Sequence, residues 1–295
     1  MIWFAGKKFL GLLATLVVAA AIIFVVLDFV ASDSSGQSGI ERFLRWFVGM
    51  FIGDFGRSAS LGEPVGSLIA GRLAVTLPLA LLSLILALAI GGLAGVGAAR
   101  QPNSVWAKIL IAVSRLAAAI PEYWLGMLLV LLFSMTLRWL PQGGFVPWQD
   151  NPLGALQSLI LPSLALAIPL AALLAQMAYR ALAEARASDF VRAAEARGLT
   201  RSDAMRQHGL PNAALRMLSL ASLAVSSLFA ATMIVENVFY LPGLGRLILD
   251  GVGSRDLVLV RGGLAVLIFL TAGTLFLLDL LKAWADPRLR AETGP

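Results

Sequence analysis

Long apolar runs alternate with short polar breaks along the whole chain. The runs cover residues 9–30, 73–99, 109–137, 155–179, 213–235 and 257–281. Each exceeds the roughly 20 residues that an α-helix needs to cross a bilayer. The pattern predicts an all-α polytopic membrane protein with six transmembrane helices. Lys7 and Lys8 precede the first run, as in a signal peptide. That run is longer than the usual apolar core of about 7–15 residues, so we read it as an uncleaved first span. Residues 1–30 then form the N-terminal helix, and 31–72 an external segment. Residues 73–285 form a five-helix core that includes a polar segment at 186–212, and 286–295 form a tail. Within the external segment, residues 40–52 are aromatic and amphipathic. They lie along the membrane surface or pack on the bundle.

The polar segment DFVRAAEARGLTRSDAMRQHGLPN, residues 189–212, separates the fourth and fifth runs. Its local signals predict two short helices. Ser188 or Asp189 caps the first, which turns Phe190, Val191 and Ala194 to one face. Gly198 ends it in a left-handed conformation. Thr200 and Asp203 form a capping box for the second, and Gly209 with Pro211 stop it. The expectation is a compact helical knuckle between two spans.

Composition agrees with the run pattern. The chain of 295 residues is 59% hydrophobic and only 14% charged. Soluble domains carry about 25% charge. The net charge of +6 is spread along the chain rather than gathered into a basic tail, which speaks against nucleic acid. Six spans place both termini on one side. That side holds fifteen of the 23 lysines and arginines and the opposite side eight, which puts the termini and the knuckle in the cytoplasm. With no cysteine and His208 as the only histidine, there is no thiol chemistry and no His-rich metal site.

The chain has no phosphate-binding P-loop, no HExxH and no GxSxG, so neither ATP binding nor a familiar hydrolytic site is expected of it. Three acids fall in or near the runs: Glu122, Glu236 and Asp279. An ionisable group at membrane depth is costly and therefore a functional candidate. Glu122 follows Pro121, where a bend exposes backbone. It either lines a solute path, with Tyr123 beside it, or pairs with Arg115. Glu236 is a further path candidate, although its place near a span end also suits a structural role. Pro78, Pro162 and Pro169 bend spans, and Gly91 with Gly95 makes a GxxxG pair for close helix packing. Leu247, Ile248 and Leu249, between glycine turns, suggest a short helix dipping toward the bundle. Trp139 and Trp148 are expected at the interface.

The knuckle carries a resemblance. Arg192-Ala193-Ala194, then Gly198 and, nine residues on, His208-Gly209-Leu210-Pro211 match the spacing of a signature, Glu-Ala-Ala, three residues, Gly, nine residues, Ile-x-Leu-Pro. That signature belongs to the membrane subunits of binding-protein-dependent ABC importers. DFVRAAEARGL is similar to the peptide branch, in which the acid is replaced. GDFGRS at 53–58, PEYWLG at 121–126, Trp139-Leu140-Pro141, VENVFYLPGLGRL at 235–247, Arg255-Asp256 and Asp286-Pro287-Arg288 also resemble that branch, in order. The short 30–40 segment departs from it by lacking a P-G-D-P motif. The resemblance implies a type I permease fold in a bacterial inner membrane, transporting peptides, or nickel chelates or opines, which a solute-binding protein delivers. It implies a second permease and two ATPase subunits that bind ATP and Mg. This chain would bind no cofactor, catalyse no chemistry and contact membrane lipid. Coupling to the ATPase would fall to Arg192, Ala193, Ala194, Glu195, Arg197, Gly198, Leu199, His208, Gly209, Leu210 and Pro211.

Overall fold

The computed structural model describes residues 2–31 and 38–285. The 32–37 part of the external segment, with its missing P-G-D-P motif, and the 286–295 tail lie outside the described residues. Twelve helices follow in order among those described. They are α1 (Ile2–Ala31), α2 (Gly39–Phe51), α3 (Val65–Arg100), α4 (Val105–Ala118), α5 (Glu122–Leu129), α6 (Pro152–Ala187), α7 (Asp189–Ala196), α8 (Arg201–Ala204), α9 (Leu210–Ser226), α10 (Leu228–Val238), α11 (Leu244–Gly253) and α12 (Leu257–Ala285). Wider π turns extend α5 through Val130–Thr136 and join α8 to α9 through Met205–Gly209. Four helices are long and apolar enough to cross a membrane, and six spans result if two bent pairs each count as one.

The expected single span at 109–137 is one of those pairs. Its halves, α4 and the extended α5, meet at 103°. The cause is local. The amides of Ala119 and Ile120 bond back to Leu116 and Ala117, which tightens the end of α4. Pro121 then takes an extended conformation, φ −62° and ψ 138°, and begins a new helix axis. A proline offers no amide and its ring clashes with the carbonyl four residues before it. The second pair breaks at Ser227 and bends by 41°.

The most extensive helix interface joins α3 to α6. A Cβ at Gly91 would sit 2.4 Å from the carbonyl oxygen of Ala171, and one at Gly95 would sit 2.5 Å from that of Ala175. Only glycine permits this approach. Gly92 and Gly97, which share the patch, face open space. Gly95→Leu is therefore expected to lower the yield of folded protein in detergent severalfold and its melting temperature with it, since overpacking costs about 1–3 kcal/mol in off-rotamer side chains and backbone shifts. Gly97→Leu is expected to be near neutral in the same thermal-shift measurement.

The amphipathic segment forms α2, which packs one face on the bundle. Ser38 caps it by accepting from the Glu41 amide. Phe43, Trp46 and Met50 pack with Phe24 of α1 and Ala265 of α12. Ile40, Leu44, Val48 and Phe51 are exposed on the other side, an apolar surface suited to lipid. Arg42 pairs with Asp28, and Arg261 lies over the rings of Phe24 and Trp46, closing this end of the bundle.

The GDFGRS loop is locked to the start of α12. Asp256 Oδ2 accepts from the Ser58 hydroxyl at 2.6 Å, and from the Ser60 amide and hydroxyl at 2.9 Å each. Its Oδ1 accepts from the Leu259 amide and so caps α12. Burial by itself would raise the Asp256 carboxyl. The hydrogen bonds from Ser58, Ser60 and Leu259 outweigh it and hold the group at about 2, against an ordinary 3.8. A depressed carboxyl stabilises the fold above its unfolded value and loses that contribution as pH falls through the folded one. Wild-type stability is expected to fall between pH 3.8 and about 2. Asp256→Asn is expected to flatten that acid limb of a melting-temperature profile and to lower stability at neutral pH.

The short helix expected near 247–249 is α11, with Leu247 and Ile248 buried and Leu249 on its outer side. Trp139 is largely exposed, whereas the Trp148 indole donates to the Ala74 carbonyl at 2.8 Å.

Candidate functional site

The knuckle is built from contacts within a single turn or two. Ser188 takes the extended N-cap conformation of α7, but its hydroxyl donates back to the Ala185 carbonyl, so neither it nor Asp189 makes a side-chain cap there. α7 ends at Gly198, with φ +95°, and the Leu199 amide returns to the Ala194 carbonyl. Thr200 then accepts from the Asp203 amide and donates to the Asp203 carboxylate at 2.6 Å. Val191, Ala194 and Ala204 are buried together, with Leu199 packed against them. These small side chains bring α7 and α8 into contact and make the knuckle one body.

One expectation needs correction. Gly209 and Pro211 do not stop the second helix. Residues 205–209 widen into a π turn, the Leu210 amide bonds to the Met205 carbonyl, and α9 continues with Pro211 in its first turn. The widening lets a proline enter a continuous helix, because it removes the regular partner that its missing amide would need. A Cβ on Gly209 would fall 2.3 Å from the Met205 sulfur, so a larger residue there would displace the Met205 side chain. The second short helix is thus continuous with α9.

The eleven residues of the expected coupling set fall into three positions. Arg192, Ala193, Arg197 and Gly198 lie exposed on the outer face, and Leu210 and Pro211 are exposed at the base of α9. Glu195, Leu199 and His208 are half-buried. Ala194 and Gly209 are buried and hold the shape. Arg197 is steadied by donating to the Ala193 carbonyl, and Asn212 by donating to that of His208. Behind the knuckle, Arg186 donates to the Arg100 carbonyl, which ties the ends of α6 and α3. Arg216 pairs with Glu184 and ties α9 to α6. The exposed face is small and basic, and a cleft of about 830 Å³ opens between the knuckle, at Val191, Ser202, Met205 and Arg206, and the ends of α3 and α6.

The path candidates separate. Glu122 lines a cavity of about 150 Å³ with Pro169 and Leu170 of α6, Ala224 of α9, Ser227 and Leu228. It does not pair with Arg115, which the bend at Pro121 leaves exposed on α4. Tyr123 is 44% exposed and lies outside that cavity's lining. The expectation for Glu236 is corrected: it is fully buried. Its carboxylate accepts from Thr76 at 2.6 Å and from the Gly245 and Arg246 amides at 2.7 and 3.2 Å, which caps α11. Among the described residues its side chain has no exposed surface. Asp279 is held by Lys8 and Lys282 at the knuckle end of α12. No cluster of His, Cys, Asp and Glu suited to a metal occurs among the described residues.

The residue-by-residue reading missed Thr76 and the link between Ser58 and Asp256. These partners lie 160 and 198 residues apart, and no local pattern marks them.

Known proteins share this architecture. The family model described as binding-protein-dependent transport system inner membrane component matches residues 87–291. A putative peptide transport system permease protein of Brucella abortus is 37% identical over 256 residues, covering 87% of this chain and 82% of its own length. The oligopeptide transport system permease protein AppB of Bacillus subtilis is 33% identical, over 84% of this chain and 79% of that protein. The glutathione transport system permease protein GsiC of Salmonella paratyphi A is 30% identical, over 98% and 99%. Among solved structures, a chain of the MetNI methionine ABC transporter in an inward-facing conformation aligns with TM-score 0.59 and 19% identity. It covers 74% of this chain and 96% of that one, and supports the fold alone.

Proposed function

From the premise that the chain belongs to the binding-protein-dependent transport system inner membrane components, we propose that it lines half of a peptide translocation path and takes its driving force through the knuckle. The observation that carries the coupling role is the continuity of the knuckle, through the π turn, into α9. The chain is a permease and not itself an enzyme. Its mates in this reading are a second, similar permease, two ATPase subunits holding ATP and Mg, and a solute-binding protein on the far side. The charge asymmetry supports a cytoplasmic knuckle and cytoplasmic termini in a bacterial inner membrane. Peptide as cargo is supported by the Brucella and Bacillus relatives, which are named as peptide and oligopeptide transport system permeases.

Transport follows from two arrangements of the bundle. Closure of the ATPases would displace the knuckle, and α9 would carry that displacement to the breaks at Ser227 and Pro121. Nucleotide shifts this equilibrium only through its differential affinity for the two states. The test is ATPase activity of the reconstituted complex with binding protein empty, peptide-loaded or nickel-chelate-loaded. Stimulation by the peptide-loaded form supports the proposal. Stimulation by the chelate alone replaces the cargo, and uptake that follows an ion gradient without an ATPase overturns the coupling role.

A further inference from the structure

Three helix features meet at one place. The break at Pro121 opens the start of α5, Pro169 lies inside the continuous α6, and Ser227 divides α9 from α10. Between them lies the cavity of about 150 Å³ that Glu122 lines. Pro169 is the eighteenth of the 36 residues of α6, so the cavity sits at the mid-depth of the bundle.

The lining is apolar apart from Glu122 and Ser227, and the Ser227 hydroxyl is already spent on the Ala224 carbonyl. Glu122 makes no hydrogen bond and no ion pair among the described residues. The charged residues of the neighbouring helices lie elsewhere. Arg180, Glu184 and Arg186 are at the knuckle end of α6, Arg216 is at that end of α9, and Glu236 is enclosed under α11. Glu122 opens α5, so the helix dipole favours its charge, but that leaves its oxygens without a donor. An ionisable group left unpaired at membrane depth is unfavourable unless something visits it.

We propose that Glu122 is a cation-accepting subsite on the translocation path, taking the side-chain ammonium or guanidinium group of a passing peptide. The inference rests on the peptide-permease reading above. The cavity has room for about five waters at their liquid share of roughly 30 Å³ each. That space suits one charged group and its water and is too small to enclose a tripeptide. Low-dielectric walls strengthen attraction to a cation. A single carboxylate with no second charged partner gives a contact weak enough to release it. The subsite therefore favours cationic peptides in transit rather than storing them.

The complete complex is reconstituted in liposomes with wild type, Glu122→Gln or Glu122→Asp. Uptake is measured for Ala-Lys-Ala, Ala-(Nε-acetyl-Lys)-Ala and Ala-Glu-Ala, each at saturating occupancy of the binding protein. Glu122→Gln is expected to slow Ala-Lys-Ala about tenfold, the acetylated peptide about twofold and Ala-Glu-Ala not at all. Glu122→Asp is expected to keep the charge ranking. An equal ratio of wild type to Glu122→Gln for all three peptides means that Glu122 acts only on the structure of α5, and the subsite is overturned. If wild type moves none of the peptides, the peptide reading fails and the subsite with it.

Discussion

Gly198→Leu is expected to abolish coupled uptake, with at least a tenfold loss of binding-protein-stimulated ATPase activity, while the protein still inserts and assembles its bundle. The geometry separates these two effects. A Cβ at Gly198 meets nothing within 4 Å in this chain, so no internal clash follows. The internal cost is conformational. A φ of +95° suits glycine, and an L-residue in left-handed backbone costs about 1–2 kcal/mol. That strain is modest for a bundle whose main interfaces lie elsewhere. The remaining effect arises where the exposed face meets a partner, because leucine projects from the surface that carries Arg192, Ala193 and Arg197. Gly198→Ala carries the same strain with less bulk and is expected to fall between wild type and leucine. Normal uptake by the leucine variant would falsify the docking role of this surface.

Glu236→Ala is expected to give a large loss of stability, with little dependence on which partner subunits are present. The carboxylate is fully buried and fills three hydrogen-bonding roles. Its removal strands the Gly245 and Arg246 amides at the start of α11 in an apolar interior. Thr76 would keep only its contact from the Leu244 amide. Each stranded buried group costs about 1–3 kcal/mol, which suggests a total of about 3–5 kcal/mol. A fall of roughly 10 °C in melting temperature is the corresponding scale. Gly243→Ala provides an independent check, because its Cβ would fall 2.1 Å from the Glu236 carboxyl carbon and disrupt the same network. A shift of less than 2 °C in both variants would show that the cap contributes nothing. A solute-path residue would instead give a transport defect in a protein of normal stability, the outcome expected at Glu122.

These two glutamates show how far local reading extends. Both are legible in the chain as acids in or beside apolar runs, and the sequence around them, a proline bend at Glu122 and a span end at Glu236, leaves both open as path candidates. Their difference depends on distant elements. The start of α11 descends onto Glu236 and supplies amides, while the sharp bend at Pro121 turns α4 and Arg115 away from Glu122. The angle of that bend was equally hidden. Proline states that the hydrogen-bond ladder ends, but the packing of α5 on α6 and α10 chooses the new direction.

The amino-acid sequence by itself determined where the apolar runs lie, that they are long and apolar enough for a bilayer, and how the knuckle turns at Gly198 and Thr200. It also established membership of the transport family. All of these depend on residues within a turn or two of each other, or on motifs in fixed order. Only the tertiary structure decided that Gly91 and Gly95 meet α6 while Gly92 and Gly97 do not. It alone decided that Asp256 closes on Ser58 and that the helix after the knuckle runs unbroken through Pro211 into α9. The reason is physical. Periodicity and caps record what a residue does to its own helix. Which face meets which neighbour, and which buried polar group finds a partner more than 150 residues away, is set by how the helices cross.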